Sequence, residues 1–310
     1  MPTETVYGLA ADACNASAVA RIFAAKRRPA EHPLIVHVAD AAGAARFAQH
    51  VPTFAGALMQ AYWPGPLTLI LPRREGVAAV AAGGQDTVGL RCPAHPVARA
   101  LLQACAARGV HALAAPSANQ FGRVSPTTAA HVQDEFDRDL LILDGGACSV
   151  GIESTIIDCS RGAPVLLRPG AITAAQVRTA CGLSVLSNEE QARLDASAPR
   201  ASGTLEQHYA PKARVRLMDA RALQTALDLL GPDVDRGTAT IATYSRVLLT
   251  TASRSVLRRH MPDDADEAAR QLFAVLREFD AQGATLIWVE TPPPAPEWDA
   301  VRDRLQRAAA

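Results

Sequence analysis

Short apolar runs alternate with helical patterns along roughly the first 180 residues, and this alternation is what most constrains the fold. Runs rich in Leu, Ile and Val favour buried strands, and the stretches between them repeat apolar residues at helical intervals. The predicted strands are Leu34–Val38, Leu67–Leu71, Thr87–Arg91, Val110–Ala114, Leu140–Leu143, Thr155–Asp158 and Val165–Leu167. The predicted helices lie near Ser17–Lys26, Pro52–Tyr62, Pro96–Ala107 and Thr127–Phe136. This mixture predicts an α/β domain with a mixed sheet.

The pattern breaks from Ser184 to about Pro199, where a polar sequence rich in Ala and Ser is typical of a linker. A second α/β pattern follows. Its strands are predicted at Val215–Met218, Ala239–Thr243 and Thr285–Val289, and its helices at Arg221–Leu230, Asp264–Ala281 and Glu297–Ala308. Strands separated by helices indicate a small parallel sheet. We therefore predict a first domain over 1–183, a linker over 184–212 and a smaller α/β domain over 213–310.

Charge and composition exclude several classes of protein. The 310 residues include 31 basic and 31 acidic side chains, so the formal net charge is zero. This balance excludes a polybasic nucleic-acid clamp and leaves only local contacts with RNA. The six scattered cysteines lack metal-ligand spacing and favour reduced thiols in a cytoplasmic protein. No apolar run approaches the roughly 20 residues that a membrane span needs, and the first residues do not resemble a signal peptide.

Cationic and small polar residues cluster where the predicted elements end. The stretch Lys26–Pro29 either faces solvent at a helix C-terminus or clamps phosphate, since guanidinium groups suit phosphate oxygens. Arg91 either points into a cleft or forms a surface ion pair, and Ala115–Asn119 is either a turn or a ligand-binding loop. Asp144–Gly146 and Gly151–Thr155 offer backbone N–H groups to anions. Together these features indicate nucleotide binding with adenylyl or phosphoryl transfer, in which positioning and charge stabilisation dominate.

Seven ordered motifs over about 170 residues resemble the YrdC-domain family, the threonylcarbamoyl-AMP synthases. They are PTETVYGLA at Pro2–Ala10, KRRPAEHPLIVHV at Lys26–Val38, WPGPLTLIL at Trp63–Leu71, TVGLRCP at Thr87–Pro93, APSAN at Ala115–Asn119, GIESTIID at Gly151–Asp158 and LLRPG at Leu166–Gly170. The segment His208–Pro211 and the second α/β pattern are similar to the long, two-domain branch of that family. The resemblance implies a twisted, open mixed sheet with flanking helices and a smaller Rossmann-like C-terminal domain.

The same resemblance implies an L-threonylcarbamoyladenylate synthase. Such an enzyme makes threonylcarbamoyl-AMP and pyrophosphate from L-threonine, bicarbonate and ATP, and a separate transferase complex then uses the product for N6-threonylcarbamoyladenosine modification of tRNA. Mg²⁺ is expected with ATP, although no carboxylate cluster identifies protein ligands for it. A weak contact with tRNA is also expected, and none with a membrane. Two other functions stay open: a YrdC-type RNA-binding module with secondary or lost catalysis, and a synthase of another carbamoyl-adenylate.

The resemblance also implies which residues form the site, at the positions of this sequence that match the family's motifs. The threonine pocket is implied at Thr5, His37, Arg91, Ala115 and Ser154. ATP binding is implied at Arg28, His32, Thr87, Ser117, Ser125, Arg168 and Tyr209, with Tyr209 reaching over the nucleotide as part of a lid. The implied catalytic residues are Arg28, Arg91 and Lys26, and Lys26 is expected beside the phosphates.

The sequence departs from the family pattern in two places. His32 stands where the family often has asparagine, and an imidazole can also form hydrogen bonds. Family members carry a helix and a strand before the PTETVYGL motif, whereas this sequence reaches the motif directly after Met1. We therefore expect either a start further upstream or a missing sheet edge, with Thr5 on a frayed segment.

Overall fold

A computed structural model describes residues 1–136, 139–187, 189–190, 199–203, 208–235, 237 and 240–310. The contacts divide the chain into two compact units, residues 1–121 with 125–204 and residues 122–124 with 205–310. Each unit has a sheet of its own. The predicted linker over 184–212 lies partly outside the described residues, and its two boundaries stay predictions.

One mixed sheet forms the centre of the first unit. Its strands are β1 (Ala11–Asp12), β2 (Ile35–Val38), β3 (Leu67–Pro72), β4 (Thr87–Arg91), β5 (Ala112–Ala114), β6 (Thr155–Asp158), β7 (Val165–Arg168) and β8 (Leu186–Ser187). They lie in the order β1-β5-β2-β4-β3-β6-β7-β8. The β2–β4, β3–β6 and β7–β8 pairs are parallel, and the other pairs are antiparallel. The predicted mixed sheet is confirmed.

Six helices are described in this unit, and local sequence signals explain where several begin. They are α1 (Ala16–Lys26), α2 (Ala41–Ala44), α3 (Thr53–Tyr62), α4 (Pro96–Ala106), α5 (Ala129–Gln133) and α6 (Ala174–Cys181). The Asn15 side chain caps α1 by accepting a hydrogen bond from the Ala18 N–H group. Thr173 and Gln176 form a reciprocal capping box at the start of α6.

Alternating side chains give the central strands one apolar face and one face on which polar and apolar side chains are mixed. Leu67, Leu69 and Leu71 of β3 are fully buried in a core that also contains residues of α1, α3 and α6. Because side chains alternate along a strand, Thr68 of β3 and Arg91 of β4 point to the opposite face. One side of the sheet therefore stabilises the unit, and the other side is free to carry polar chemistry.

Two predicted elements of this unit differ from the structure. The predicted strand Leu140–Leu143 is wrong: Leu141 is 85% exposed, and no strand is assigned there. Only Leu140 and Ile142 pack inward, against the small cluster around Tyr7. The helix predicted near Thr127–Phe136 is shorter than expected: α5 begins after the Thr128 hydroxyl, which caps it, and ends at Gln133.

The second unit contains a four-stranded sheet in which every strand pair is parallel. Its strands are β9 (Arg214–Met218), β10 (Ile241–Ser245), β11 (Leu257–His260) and β12 (Leu286–Glu290), in the order β11-β10-β12-β9. The predicted small parallel sheet is confirmed. Strand β11 escaped prediction because its three exposed residues Arg258, Arg259 and His260 give no apolar signal.

The described residues of this unit include three α-helices: α7 (Ala220–Asp235), α8 (Ala265–Ala281) and α9 (Asp299–Ala309). Asp264 caps α8, with its carboxylate accepting a hydrogen bond from the Glu267 N–H group at 2.8 Å. No helix in the described part of the chain combines the length and the apolar character that a bilayer-spanning segment requires.

Gly170 tests how closely the chain packs at the start of β6, and Gly56 in α3 is the control. A Cβ atom added at Gly170 would lie 2.4 Å from the backbone nitrogen of Thr155, which has no room to move. We expect Gly170→Ala to lower the free energy of unfolding by about 1–3 kcal/mol. At Gly56 in α3, a Cβ atom would meet nothing within 4 Å, so Gly56→Ala should raise that free energy by about 0.5–1 kcal/mol. Urea denaturation measures both, and similar effects of the two variants would contradict the close approach.

Candidate functional site

The guanidinium of Arg91 lies buried at the end of β4 and is held by three groups. Its Nε donates to the Gly65 carbonyl oxygen at 3.2 Å, and one Nη donates to Thr5 Oγ1 at 2.7 Å. The other Nη lies 2.6 Å from a Glu4 carboxylate oxygen, and the two side chains are only 4% and 8% exposed. The surface ion pair considered for Arg91 is therefore wrong, because its pair with Glu4 is buried.

Arg91 keeps its partner Glu4 ionised. Burial alone would raise the pKa of the Glu4 carboxyl, but the neighbouring Arg91 charge and hydrogen bonds outweigh burial and hold that pKa below its usual range. At neutral pH the first unit thus contains a buried cation and a buried anion in direct contact.

The segment before β1 is ordered around this pair. Thr3 Oγ1 lies 2.9 Å from Thr5 Oγ1, donates to the Val6 carbonyl oxygen and accepts hydrogen bonds from the N–H groups of Thr5 and Val6. Thr5 is fully buried. The expectation that Thr5 lies on a frayed segment is wrong, because the Thr3 turn and Arg91 hold it in place.

His37 lies on β2 in register with Arg91 on the neighbouring parallel strand. Burial, reinforced by the Arg91 charge, lowers the pKa of His37 to about 3, so the imidazole is neutral at physiological pH. Its Nδ1 is buried and has no hydrogen-bond partner among the described residues. A buried polar atom of this kind costs free energy until a ligand group satisfies it.

Ser154, just before β6, connects two parts of the site. Its hydroxyl lies 2.7 Å from Thr68 Oγ1 and 3.1 Å from an Nη atom of Arg168. Its carbonyl oxygen accepts a second hydrogen bond, from Arg168 Nε at 3.0 Å. None of these three residues is more than 2% exposed. Ser154, which the resemblance implies in threonine binding, is therefore in contact with Arg168, which it implies in ATP binding.

Lys26 ends α1 with its amino group turned inward. The Nζ atom donates to the Ser117 carbonyl oxygen at 2.5 Å and to the Asn119 carbonyl oxygen. Burial, and secondarily the charge of Arg28, lowers the pKa of Lys26 to about 7. The solvent-facing alternative is therefore wrong for Lys26, which is 1% exposed, although the neighbouring Arg27 is exposed.

Arg28 and Arg168 both contact Ser202. An Nη of Arg28 lies 3.4 Å from the Ser202 hydroxyl, and an Nη of Arg168 donates to the Ser202 carbonyl oxygen at 2.9 Å. The segment Arg200–Ser202 lines a cavity over the mixed face of the sheet, together with Thr68, Thr87 and apolar residues such as Ile70. About 20 Å³ of open space remains between this segment and the sheet.

The remaining implied ATP and threonine residues of the first unit lie on loops beside these groups. The His32 ring meets Phe121 edge-on at 5.5 Å, and the same phenyl ring lies 5.4 Å from the Arg28 guanidinium. The Ser125 hydroxyl donates to the Glu153 carboxylate, next to Ser154 in the chain. Ala115 follows β5, and its N–H group donates to the Ile35 carbonyl oxygen.

Tyr209 belongs to the second unit, where its side chain is fully buried. Its ring stacks on Phe273 with centroids 5.5 Å apart, and the Arg304 guanidinium lies 5.3 Å from it. Its backbone adopts a left-handed conformation with a φ of 62°. The implied role of Tyr209 over the nucleotide stays a prediction.

Four residues of this site are not predicted from the sequence: Glu4, Thr68, Glu153 and Ser202. Glu4 lies in the PTETVYGLA motif and Glu153 in the GIESTIID motif, and in each motif the carboxylate stands next to a residue implied to bind threonine. Thr68 interrupts the apolar run Leu67–Leu71 and points away from the core. Ser202 gives no signal, because only the fold brings it to Arg28 and Arg168.

Among the described residues, no group of three or more His, Cys, Asp or Glu side chains is arranged to hold a metal ion.

The buried amine of Lys26 makes stability depend on pH. Below pH 7, Lys26 is protonated in both the folded and the unfolded chain, and folding bears the full cost of burying its charge. From pH 7 up to the unfolded pKa of 10.5, the folded chain releases this proton first and the cost disappears. Relative to Lys26→Met, the wild type should therefore gain a few kcal/mol of unfolding free energy between about pH 6 and pH 10. Urea denaturation across this range measures the difference, and a constant difference would contradict the lowered pKa.

Comparisons with known proteins cover nearly the whole chain. A family model described as telomere recombination matches residues 1–170, and one described as threonylcarbamoyl-AMP synthase, C-terminal domain, matches residues 172–310. A threonylcarbamoyl-AMP synthase of Pyrococcus abyssi is 36% identical over 312 residues, covering 99% of this chain and 89% of the relative. A threonylcarbamoyl-AMP synthase of Bacillus subtilis is 36% identical over 317 residues, covering 99% of this chain and 88% of the relative.

A solved structure agrees with these relatives. The crystal structure of P. abyssi Sua5 complexed with L-threonine superposes with a TM-score of 0.87 at 36% sequence identity. The superposition covers 99% of this chain and 89% of that one. The two matching models and the full-length relatives lead to one conclusion: this chain belongs to the threonylcarbamoyl-AMP synthase family.

Proposed function

We propose that this protein makes threonylcarbamoyl-AMP and pyrophosphate from L-threonine, bicarbonate and ATP. The observation that carries the proposal is the buried Arg91 guanidinium beside Thr5 and His37. A guanidinium can grip the threonine carboxylate through two N–H groups, and the neutral His37 offers a ring nitrogen to the substrate hydroxyl. Further support comes from the family membership and from the related structure that contains L-threonine.

The proposed reaction needs positioning and charge stabilisation rather than a protein nucleophile. The threonine ammonium first loses a proton, and the free amine condenses with bicarbonate to a carbamate with loss of water. A carbamate oxygen then attacks the α-phosphate of ATP, which releases pyrophosphate. The contact of Ser154 with Arg168 supports a threonine subsite next to the nucleotide subsite, so that the two substrates react in line. Arg28 and Arg168 supply positive charge for the phosphates, and Lys26, whose pKa is lowered to about 7, adds charge in its protonated form.

Several finer points belong to the same proposal. We infer that Mg²⁺ enters with ATP, held by phosphate oxygens and water; the described residues offer no carboxylate cage, and no step here depends on a protein-held ion. The product would pass to a separate transferase complex for tRNA modification, and the neutral net charge supports at most a weak tRNA contact. Six free thiols are compatible with the cytoplasm as the location.

Pyrophosphate release tests the proposed reaction directly. We expect the purified chain to release pyrophosphate from ATP only when L-threonine and bicarbonate are both present, because the carbamate is the nucleophile. A coupled pyrophosphatase assay measures the rate with each substrate omitted in turn. Equal release without threonine would refute the proposed function, and tRNA binding without any turnover would favour the RNA-binding alternative.

Arg91→Lys tests the assignment of the threonine carboxylate. The lysine keeps a cation beside Glu4 but loses the two-pronged contact, so the KM for threonine should rise by roughly 10- to 100-fold. The KM for ATP should change by less than about 2-fold, because Arg28 and Arg168 are untouched. The control is Arg259→Lys, which alters an exposed ion pair with Glu278 in the second unit and should leave both KM values unchanged. An unchanged KM for threonine in Arg91→Lys would remove Arg91 from the pocket.

A further inference from the structure

Glu4 is a buried carboxylate in the site to which the proposed reaction assigns no role. The residue is 6% exposed, and one of its oxygens lies 2.6 Å from an Nη atom of Arg91. Both carboxylate oxygens and this Nη atom are buried, and the carboxylate has Arg91 and the backbone N–H groups of Glu4 and Ala94 as neighbouring donors, but none of these contacts is well aligned. The pair therefore retains unused hydrogen-bonding capacity on its anionic and its cationic side.

Stability alone is a weak reason for such a pair. Removing two charges from water costs several kcal/mol each, and their mutual attraction offsets this cost only when the remaining donors and acceptors are also satisfied. Arg91 already has two neutral acceptors, the Gly65 carbonyl and the Thr5 hydroxyl. The poorly aligned contacts of the Glu4 carboxylate are better explained by a ligand that brings a further positive group.

The charges of threonine match this pair. A free α-amino acid carries a carboxylate and an ammonium on adjacent atoms at neutral pH, so its recognition requires a cation and an anion side by side. A lone arginine would bind any carboxylate of the right size. Arg91 with Glu4 at 2.6 Å presents both charges to one small molecule.

Other described side chains near the site are less suited to receive an ammonium. His37, which lies beside Arg91, is neutral and could accept only through an uncharged ring nitrogen. The Glu153 carboxylate accepts a hydrogen bond from Ser125. Asp158, at the far end of β6, is bound by Ser160 and Arg161.

We propose that Glu4 binds the ammonium group of threonine while Arg91 binds its carboxylate, which makes the site selective for an amino acid over a hydroxy acid of the same shape. This inference rests on the proposed function, because it assumes that threonine occupies the site. It assigns Glu4 a direct substrate contact, beyond orienting Arg91.

Two ligands separate ammonium binding from the orientation of Arg91. L-Threonine and (2S,3R)-2,3-dihydroxybutyrate share the carboxylate and the 3-hydroxyl, but the second has a neutral hydroxyl in place of the ammonium. Calorimetric titration of each ligand into the full chain gives two dissociation constants without turnover. Glu4→Gln removes the charge at nearly constant shape. Asp158→Asn is the matched control, because it neutralises another buried, arginine-paired carboxylate of the same unit.

We expect the wild type to bind threonine roughly 10- to 100-fold more tightly than the hydroxy acid, as a charged buried hydrogen bond implies. Glu4→Gln should bring this ratio to about 1 and leave hydroxy acid binding unchanged or tighter, since Arg91 loses a competing anion. Asp158→Asn should keep the wild-type ratio, even if its melting temperature falls.

Three outcomes would overturn the inference. One is a Glu4→Gln variant that keeps the preference for threonine, and another is a folded Glu4→Gln variant that weakens both ligands equally, which would reduce Glu4 to orienting Arg91. The third is equal affinity of the wild type for both ligands, which decides the question even if Glu4→Gln fails to fold. A wild-type chain that binds neither ligand would instead refute the proposed function.

Discussion

A buried guanidinium must be surrounded by acceptors, and this requirement of Arg91 organises the first unit. Its three contacts join the end of β4 to the Gly65 loop and to the segment that contains Glu4 and Thr5. Removing either charged partner would leave an uncompensated charge in a dry interior, at a cost of about 3–5 kcal/mol. The same positive charge helps to keep His37 neutral. Local order and local protonation thus depend on one side chain.

The division of the sheet into two faces lets stability and chemistry coexist. Leucines on one face of β3 build the core, while the alternate residue Thr68 contacts Ser154 on the other face. Because Ser154 also binds Arg168, the groups implied for two different substrates belong to one hydrogen-bonded network. A network fixed to strands positions its members more precisely than one carried on loops alone.

The sequence predicts the strands whose side chains pack into an apolar core. It does not predict the strands that join a sheet through backbone hydrogen bonds alone. Strands β3, β4 and β6 have clear apolar patterns and were placed to within about a residue, whereas two-residue β1 and β8 and the basic β11 have no such pattern. In the site, motif resemblance located Arg91, Ser154 and Arg168. It did not show that Glu4 pairs with Arg91 or that Ser202 meets Arg28, because such contacts form between distant parts of the chain. The inward turn of Lys26 was equally unreadable, since solvated and buried lysines at a helix end look alike in sequence.

The open edge of the second sheet has a consequence for solubility. Strand β11 is the outermost strand of the described sheet, and its outer backbone groups are positioned to template another chain. Arg258, Arg259 and His260 follow one another along it and are all exposed. A second copy aligned against this strand would have to desolvate the exposed Arg258 and disturb the ion pair of Arg259 with Glu278, so this basic run guards against aggregation through strand addition.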